Sequence, residues 1–170
     1  MSLPLLFLLV LFPAAMTYAA ASDLFSMTIS NRLCLGLVVL FVPSALIIGL
    51  PWVQIAWHFA AGGLVLAVCF GLFAAGWIGG GDAKLAAATA LWFGFGHLMP
   101  YLVVAAMFGA VLTLIVMKLR TAPLPALGQN WLWLRRLHAA NQGVPYGIAL
   151  ACSALFVLPD TAIWRAAIGL

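Results

Sequence analysis

The sequence predicts an all-α polytopic membrane protein, a bundle of six transmembrane helices. Of the 170 residues, 67% are hydrophobic and only 6% are charged. The mean hydropathy is +1.23, and uncharged stretches of span length recur along the chain. An ordinary soluble domain carries roughly 25% charged residues, so a water-soluble globule is excluded. At about 20 residues per span, little chain remains for an extramembrane domain. Residues 1–170 are therefore expected to form a single transmembrane domain, with its chemistry at or in the membrane.

The expected spans are Leu3 to Ala21, Leu33 to Leu50, Val53 to Trp77, Leu85 to Phe95, Leu98 to Met117 and Val144 to Pro159. The fourth is short as an apolar run and reaches span length only if its helix begins near Asp82 and continues toward His97. Pro51, Pro100 and Pro145 fall near proposed ends, where a missing N–H costs least.

Basic residues set the orientation, because Lys and Arg are retained in the cytoplasm. With the N-terminus outside, the connections carrying Arg32, Lys84, and Lys118, Arg120, Arg135 and Arg136 all face the cytoplasm, leaving Arg165 outside. An N-out, C-out topology is expected. Ala19-Ala20-Ala21 before Ser22 resembles a signal-peptide cleavage site, but Met1 to Thr17 lacks the basic n-region, so a retained first span fits better.

The long connection from Lys118 to Gln142 contains Trp131-Leu132-Trp133-Leu134-Arg135-Arg136-Leu137-His138. Aromatic and Leu residues beside two Arg suit a short interfacial helix before the last span, an aromatic anchor or a substrate-guiding surface.

A net charge of +4 would suggest nucleic acid in a soluble protein, but the basic residues form no patch, so no nucleic-acid partner is expected. Cys34, Cys69 and Cys152 each lie in an apolar run and read as small buried residues. His58, His97 and His138 have no ligand spacing on one helix, so neither a metal site nor a metalloprotease is expected.

The chain holds three acidic residues. Asp23 and Asp82 fall at cytoplasmic ends of spans, in separate connections, and can meet in space. Asp160 lies on the opposite face with Arg165 and marks a solvated helix end. An ionisable group at membrane depth is costly, so one kept there is a functional candidate. Asp82 follows Gly79-Gly80-Gly81, a stretch that could be a flexible turn with Asp82 capping the next helix. A phosphate-binding loop needs a preceding strand and a GK[ST] ending, both missing, so no nucleotide is expected.

Two carboxylates close together in a poorly hydrated site cannot easily both ionise, and one tends to keep a proton. The charged member can then take a proton from water attacking a peptide carbonyl while the other polarises the carbonyl oxygen. A proton- or cation-coupled transporter or channel could use the same pair, although transport carboxylates are expected nearer the bilayer midplane.

Gly79-Gly80-Gly81-Asp82 resembles the GxGD motif that presenilin-like intramembrane aspartyl proteases share with the type IV prepilin peptidases. Asp23-Leu24, Ile29 and Asn31 resemble that family's Asp-Leu and Ile-Pro-Asn elements, and Gly143-Val144-Pro145-Tyr146-Gly147 resembles the Pro-Tyr-Gly element that opens its last helix. The resemblance is closest to the short CpaA/TadV-type peptidases of the Flp (Tad) pilus system.

It implies an aspartic endopeptidase of the bacterial inner membrane that removes a short basic leader from a prepilin at the cytoplasmic face. Asp23 and Asp82 would be catalytic, supported by Leu24, Asn31, Gly79, Gly81, Lys84, Pro145, Tyr146 and Gly147, with no cofactor. The bifunctional relatives' extra cytoplasmic domain has no counterpart between Asp23 and Arg32, implying cleavage without N-methylation. Phe25, Met27 and Ser30 depart from the family pattern, which leaves the positioning of that connection and the choice of precursor open. Lys84 could favour an ionised Asp82 or serve as a topology signal. Partners are the prepilin substrate and the bilayer; the sequence gives no oligomeric state.

Overall fold

A computed structural model describes residues 3–123, 130–139 and 141–168, and among these the regular secondary structure is entirely helical. The helices are α1 (Leu3–Ser26), α2 (Asn31–Ile47), α3 (Trp52–Ala74), α4 (Gly80–Thr121), α5 (Leu132–His138), α6 (Tyr146–Val157) and α7 (Ala162–Ile168). A 3-10 turn, Leu158–Asp160, joins α6 to α7. Two helices, α3 and α4, are long and apolar enough to cross a membrane, while α2 and the Tyr146–Asp160 stretch are shorter apolar helices.

The expected fourth and fifth spans are joined without a loop. They form α4, which begins at Gly80 and breaks at Gly94, where φ is 61° and ψ −178°. A residue bearing a Cβ is strained at such a φ, so glycine sets the kink. The imidazole of His58 fills the space a Cβ would take there. Its Nδ1 donates to the Leu91 carbonyl at 2.7 Å, satisfying a backbone group just ahead of the break, which apolar surroundings would otherwise leave costly. His58 is thereby a packing residue of the kink.

Pro51 and Pro145 stand at the N-caps of α3 and α6, as their missing N–H groups suit. Pro100 instead lies within α4 beyond the break.

The first half of α4 is the centre of the bundle. Leu85 through Gly94 are all buried, as expected of a helix that is apolar all round. Its alanines let neighbours approach closely: a Cβ on Gly62 of α3 would stand 3.0 Å from Leu91 Cβ and 3.2 Å from the Ala87 carbonyl. Such small-residue contacts hold helices together where lipid removes the hydrophobic driving force between them. An aromatic cluster closes one end, with Phe12 and Trp92 ring centroids 4.8 Å apart and Trp92 Nε1 donating to the Leu37 carbonyl at 2.9 Å.

The outward surfaces of α3 and of the second half of α4 expose Trp57, Leu64, Phe70, Val103, Met107 and Leu114. A soluble monomer rarely shows so much contiguous apolar surface. These faces suit lipid.

Within the stretch expected to form a short helix before the last span, Leu132–His138 do form one, α5. Trp131 and Trp133 stack at 6.0 Å, and Phe25 at the end of α1 meets Trp133 edge-on at 5.8 Å. Part of the connection ahead of α5, residues 124–129, lies outside the described residues.

Candidate active site

The end of α1 and the start of α4 face each other across a cavity of about 230 Å³ lined by Asp23, Met27, Ile29, Gly79, Gly81 and Asp82 among others. The two carboxylates that the sequence places in separate connections thus share one chamber.

Asp23 sits in the last turns of α1 and is buried, with 5% of its surface exposed. Its Oδ2 accepts a 2.7 Å hydrogen bond from the backbone N–H of Gly147. Gly147 is in the first turn of α6, where backbone N–H groups have no helical partner and are free to bind a carboxylate. A Cβ on Gly147 would stand 2.8 Å from Asp23 Oδ2 and 2.7 Å from Ile29 Cδ1. The close approach therefore demands glycine.

Asp82 is half-buried at the third residue of α4, with Gly79 at the N-cap. Its Oδ2 folds back so that a Cβ on Gly79 would be 2.9 Å away. That position serves a helix cap and a reactive carboxylate equally well. A Cβ on Gly81 would stand 3.2 Å from Ile29 Cβ. Ile29 is consequently a wedge between Gly81 and Gly147, and side chains at either glycine would push the two carboxylate-bearing ends apart.

The turn from α1 to α2 is held by its own side chains. Ser22 Oγ donates to the Thr28 carbonyl at 2.8 Å, and Ser30 Oγ caps α2 by accepting from the Arg32 N–H at 3.1 Å. Met27 takes φ 55°, the left-handed position just past the end of a helix, which is favoured for Gly and costs other residues about 1–2 kcal/mol. Met27 and Ser30 were legible only as departures from a motif; the strained turn that aims Ile29 inward emerges in the fold.

Among the supporting residues, Asn31 and Lys84 pair with each other: Lys84 Nζ donates to Asn31 Oδ1 at 2.9 Å, tying the start of α2 to α4. Lys84 makes no ion pair with Asp82, since the one salt bridge among the described residues joins Arg165 to Asp160 at 3.2 Å. Both of those residues are exposed, as a solvated helix end requires. Leu24 is half-buried and lies outside the cavity wall. Pro145 is fully buried at the N-cap of α6. The Tyr146 hydroxyl donates to the Ala105 carbonyl at 3.2 Å, and its ring packs on Gly109.

Arg120 has a structural role that its sequence context did not disclose. Its guanidinium donates to the carbonyls of Leu137, Gln142 and Gly143, at 2.9, 3.0 and 2.9 Å. It thereby fixes the chain that leads into Pro145-Tyr146-Gly147, and so the N–H that meets Asp23.

A larger cavity of about 650 Å³ abuts the first, sharing Gly79 and Asp82 and continuing between Trp77, Leu102, Ala106 and Tyr146. Asp82 stands where a small polar chamber opens into an apolar one.

Fold and site together define a helical membrane protein with two carboxylates at adjoining helix ends. The chain belongs to the type IV leader peptidase family, whose model matches residues 10–114. The match takes in Asp23 and the Gly79-Gly80-Gly81-Asp82 stretch and ends before Pro145-Tyr146-Gly147. Family membership makes it a leader-peptidase-like protease. No curated protein and no solved structure matches the chain.

Proposed function

We propose that the protein is an aspartic endopeptidase that removes the short basic leader of a prepilin at the cytoplasmic face of the bacterial inner membrane. The observation that carries this reading is the single cavity shared by Asp23 and Asp82, in a chain of the leader peptidase family.

The pair holds one proton. The ionised carboxylate takes a proton from a water molecule as its oxygen attacks the scissile carbonyl carbon, while the protonated carboxylate donates a hydrogen bond to the carbonyl oxygen. Collapse of the tetrahedral intermediate breaks the C–N bond, and the departing amine receives a proton from the pair. Asp23, Asp82, Gly79, Gly81 and Gly147 form the reacting chamber; Asn31, Lys84, Pro145 and Tyr146 position its walls. The apolar cavity next to Asp82 suits the membrane-embedded segment beside the scissile bond.

The substrate class is a Flp-type prepilin, in keeping with the short CpaA/TadV-like layout. The four residues 27–30 between α1 and α2 leave no place for a methyl-transfer insertion there. Six spans with both termini outside put the pair on the cytoplasmic side, following the distribution of Lys and Arg.

The test is incubation of purified protein in detergent with a Flp-type prepilin, followed by intact-mass measurement of the product. Cleavage at the leader junction without a methyl mass increment is expected. An uncut precursor, with cleavage of a control type IV prepilin of another class, would overturn the substrate assignment.

A further inference from the structure

A separate groove of about 420 Å³ lies outside the carboxylate chamber. Its walls are α2 and α3, with Leu35, Val38 and Phe59, and its floor is Ala87, Ala88 and Leu91 of α4. Gly63 leaves one side open, since a Cβ there would meet nothing within 4 Å. The lining is apolar except at one end, where Asn31 and Lys84 stand. Lys84 is exposed and spends one donor on Asn31 Oδ1 at 2.9 Å. An ammonium has three donors, and the one ion pair among the described residues lies elsewhere, between Arg165 and Asp160.

From Lys84 to Leu91 the floor is about 10 Å long at 1.5 Å per helical residue, so an extended hydrocarbon chain can lie along it from the polar end. The volume also falls within the range of about 300–1,000 Å³ usual for small-molecule sites.

We propose that this groove binds an anionic phospholipid, with one acyl chain along Ala87, Ala88 and Leu91 and the phosphate headgroup against Lys84 and Asn31. Charge complementarity fixes the occupant: an apolar channel ending in an unneutralised cation matches a molecule with an apolar tail and an anionic head. The inference rests on the membrane placement of the bundle and is independent of the roles given to Asp23 and Asp82. Binding there braces α2 against α4, because the Asn31 and Lys84 pair that joins them is the headgroup site.

The experiment measures binding and thermal unfolding of the full chain in neutral detergent with added phosphatidylglycerol, phosphatidylcholine of the same acyl chains, or inorganic phosphate. Phosphatidylglycerol is expected to bind about five-fold more tightly than phosphatidylcholine, the value of about 1 kcal/mol for one surface cation, and to raise Tm, while inorganic phosphate does neither. Gly63→Leu fills the groove and should abolish the shift; Gly63→Ala, whose Cβ has open space, should keep it. Lys84→Gln should make the two lipids equal.

Equal affinity for both lipids in the parent chain, a shift produced by inorganic phosphate alone, or an undiminished shift in a folded Gly63→Leu variant would each overturn the proposal. Displacement of bound lipid by an apolar substrate peptide, or by dimerisation, would give the groove to that occupant instead. If Gly63→Leu fails to fold, Lys84→Gln decides, since retained preference for phosphatidylglycerol in that variant refutes the headgroup site.

Discussion

The backbone N–H of Gly147 donates to Asp23 Oδ2 at 2.7 Å across 124 residues of sequence. One hydrogen bond thus joins the end of the first helix to the start of α6, and the absence of a side chain on Gly147 is what lets them approach.

Gly147→Ala should lower cleavage by about 100-fold, the scale expected when a catalytic group is displaced by about 1 Å. The added Cβ would sit 2.8 Å from Asp23 Oδ2. Gly36→Ala in α2, where a Cβ would meet nothing within 4 Å, should leave the rate and Tm near the parent values. Initial rates on one prepilin substrate, with Tm measured alongside, check both.

Asp23→Asn and Asp82→Asn should each reduce cleavage by at least about 100-fold while leaving inserted, folded protein. Asp160→Asn, in an exposed ion pair, should be nearly silent. The double variant should be no worse than either single one, because losses within one catalytic unit are not additive. Asn caps helices about as well as Asp. Full activity of Asp82→Asn would leave that residue only a capping role and sink the mechanism.

The rate should pass through a maximum with pH. Acid protonates both carboxylates and removes the base; alkali ionises both and removes the acid, so activity falls on either side. The two apparent pKa values belong to the pair as a unit. A single sigmoidal limb across the whole range in which the protein stays folded would contradict a shared proton.

Arg120→Ala should cost about 1–3 kcal/mol of stability, from loss of hydrogen bonds by a charged donor to three carbonyls. Arg120→Lys should recover little, since an ammonium cannot reproduce the planar fork. If Arg120 positions Gly147, both variants should lower kcat more than they raise KM. A fall in stability with unchanged kcat would confine Arg120 to bracing the connection.

Topology is open to labelling in a background with Cys34, Cys69 and Cys152 replaced by Ala. Cysteines placed at Thr28 and Gln142, both exposed, should resist an impermeant reagent added outside intact cells. One placed at Ala162, also exposed, should react. The opposite pattern would reverse the orientation and move the carboxylates to the outer face.

The sequence by itself determined the all-helical class, the approximate positions of α1, α2, α3 and α6, and the candidate carboxylates. Apolar composition forbids a water-soluble fold, and a chain with three acidic residues advertises the ones it keeps at helix ends. Pro51 and Pro145 marked their helix starts for a local reason, the missing N–H. That the fourth and fifth spans join through a kink in place of a loop was not legible, because the break depends on one positive φ at Gly94 and on His58 arriving from another helix to occupy it.

Only the tertiary structure decided which polar groups meet. Lys84 stands two residues from Asp82 yet bonds Asn31, and Arg120, a topology signal in the sequence, holds the approach to Gly147. Local spacing fixes the side of a helix on which a residue lies. Partners across the bundle are set by how closely glycines and alanines let the helices pack, a property of the assembled fold.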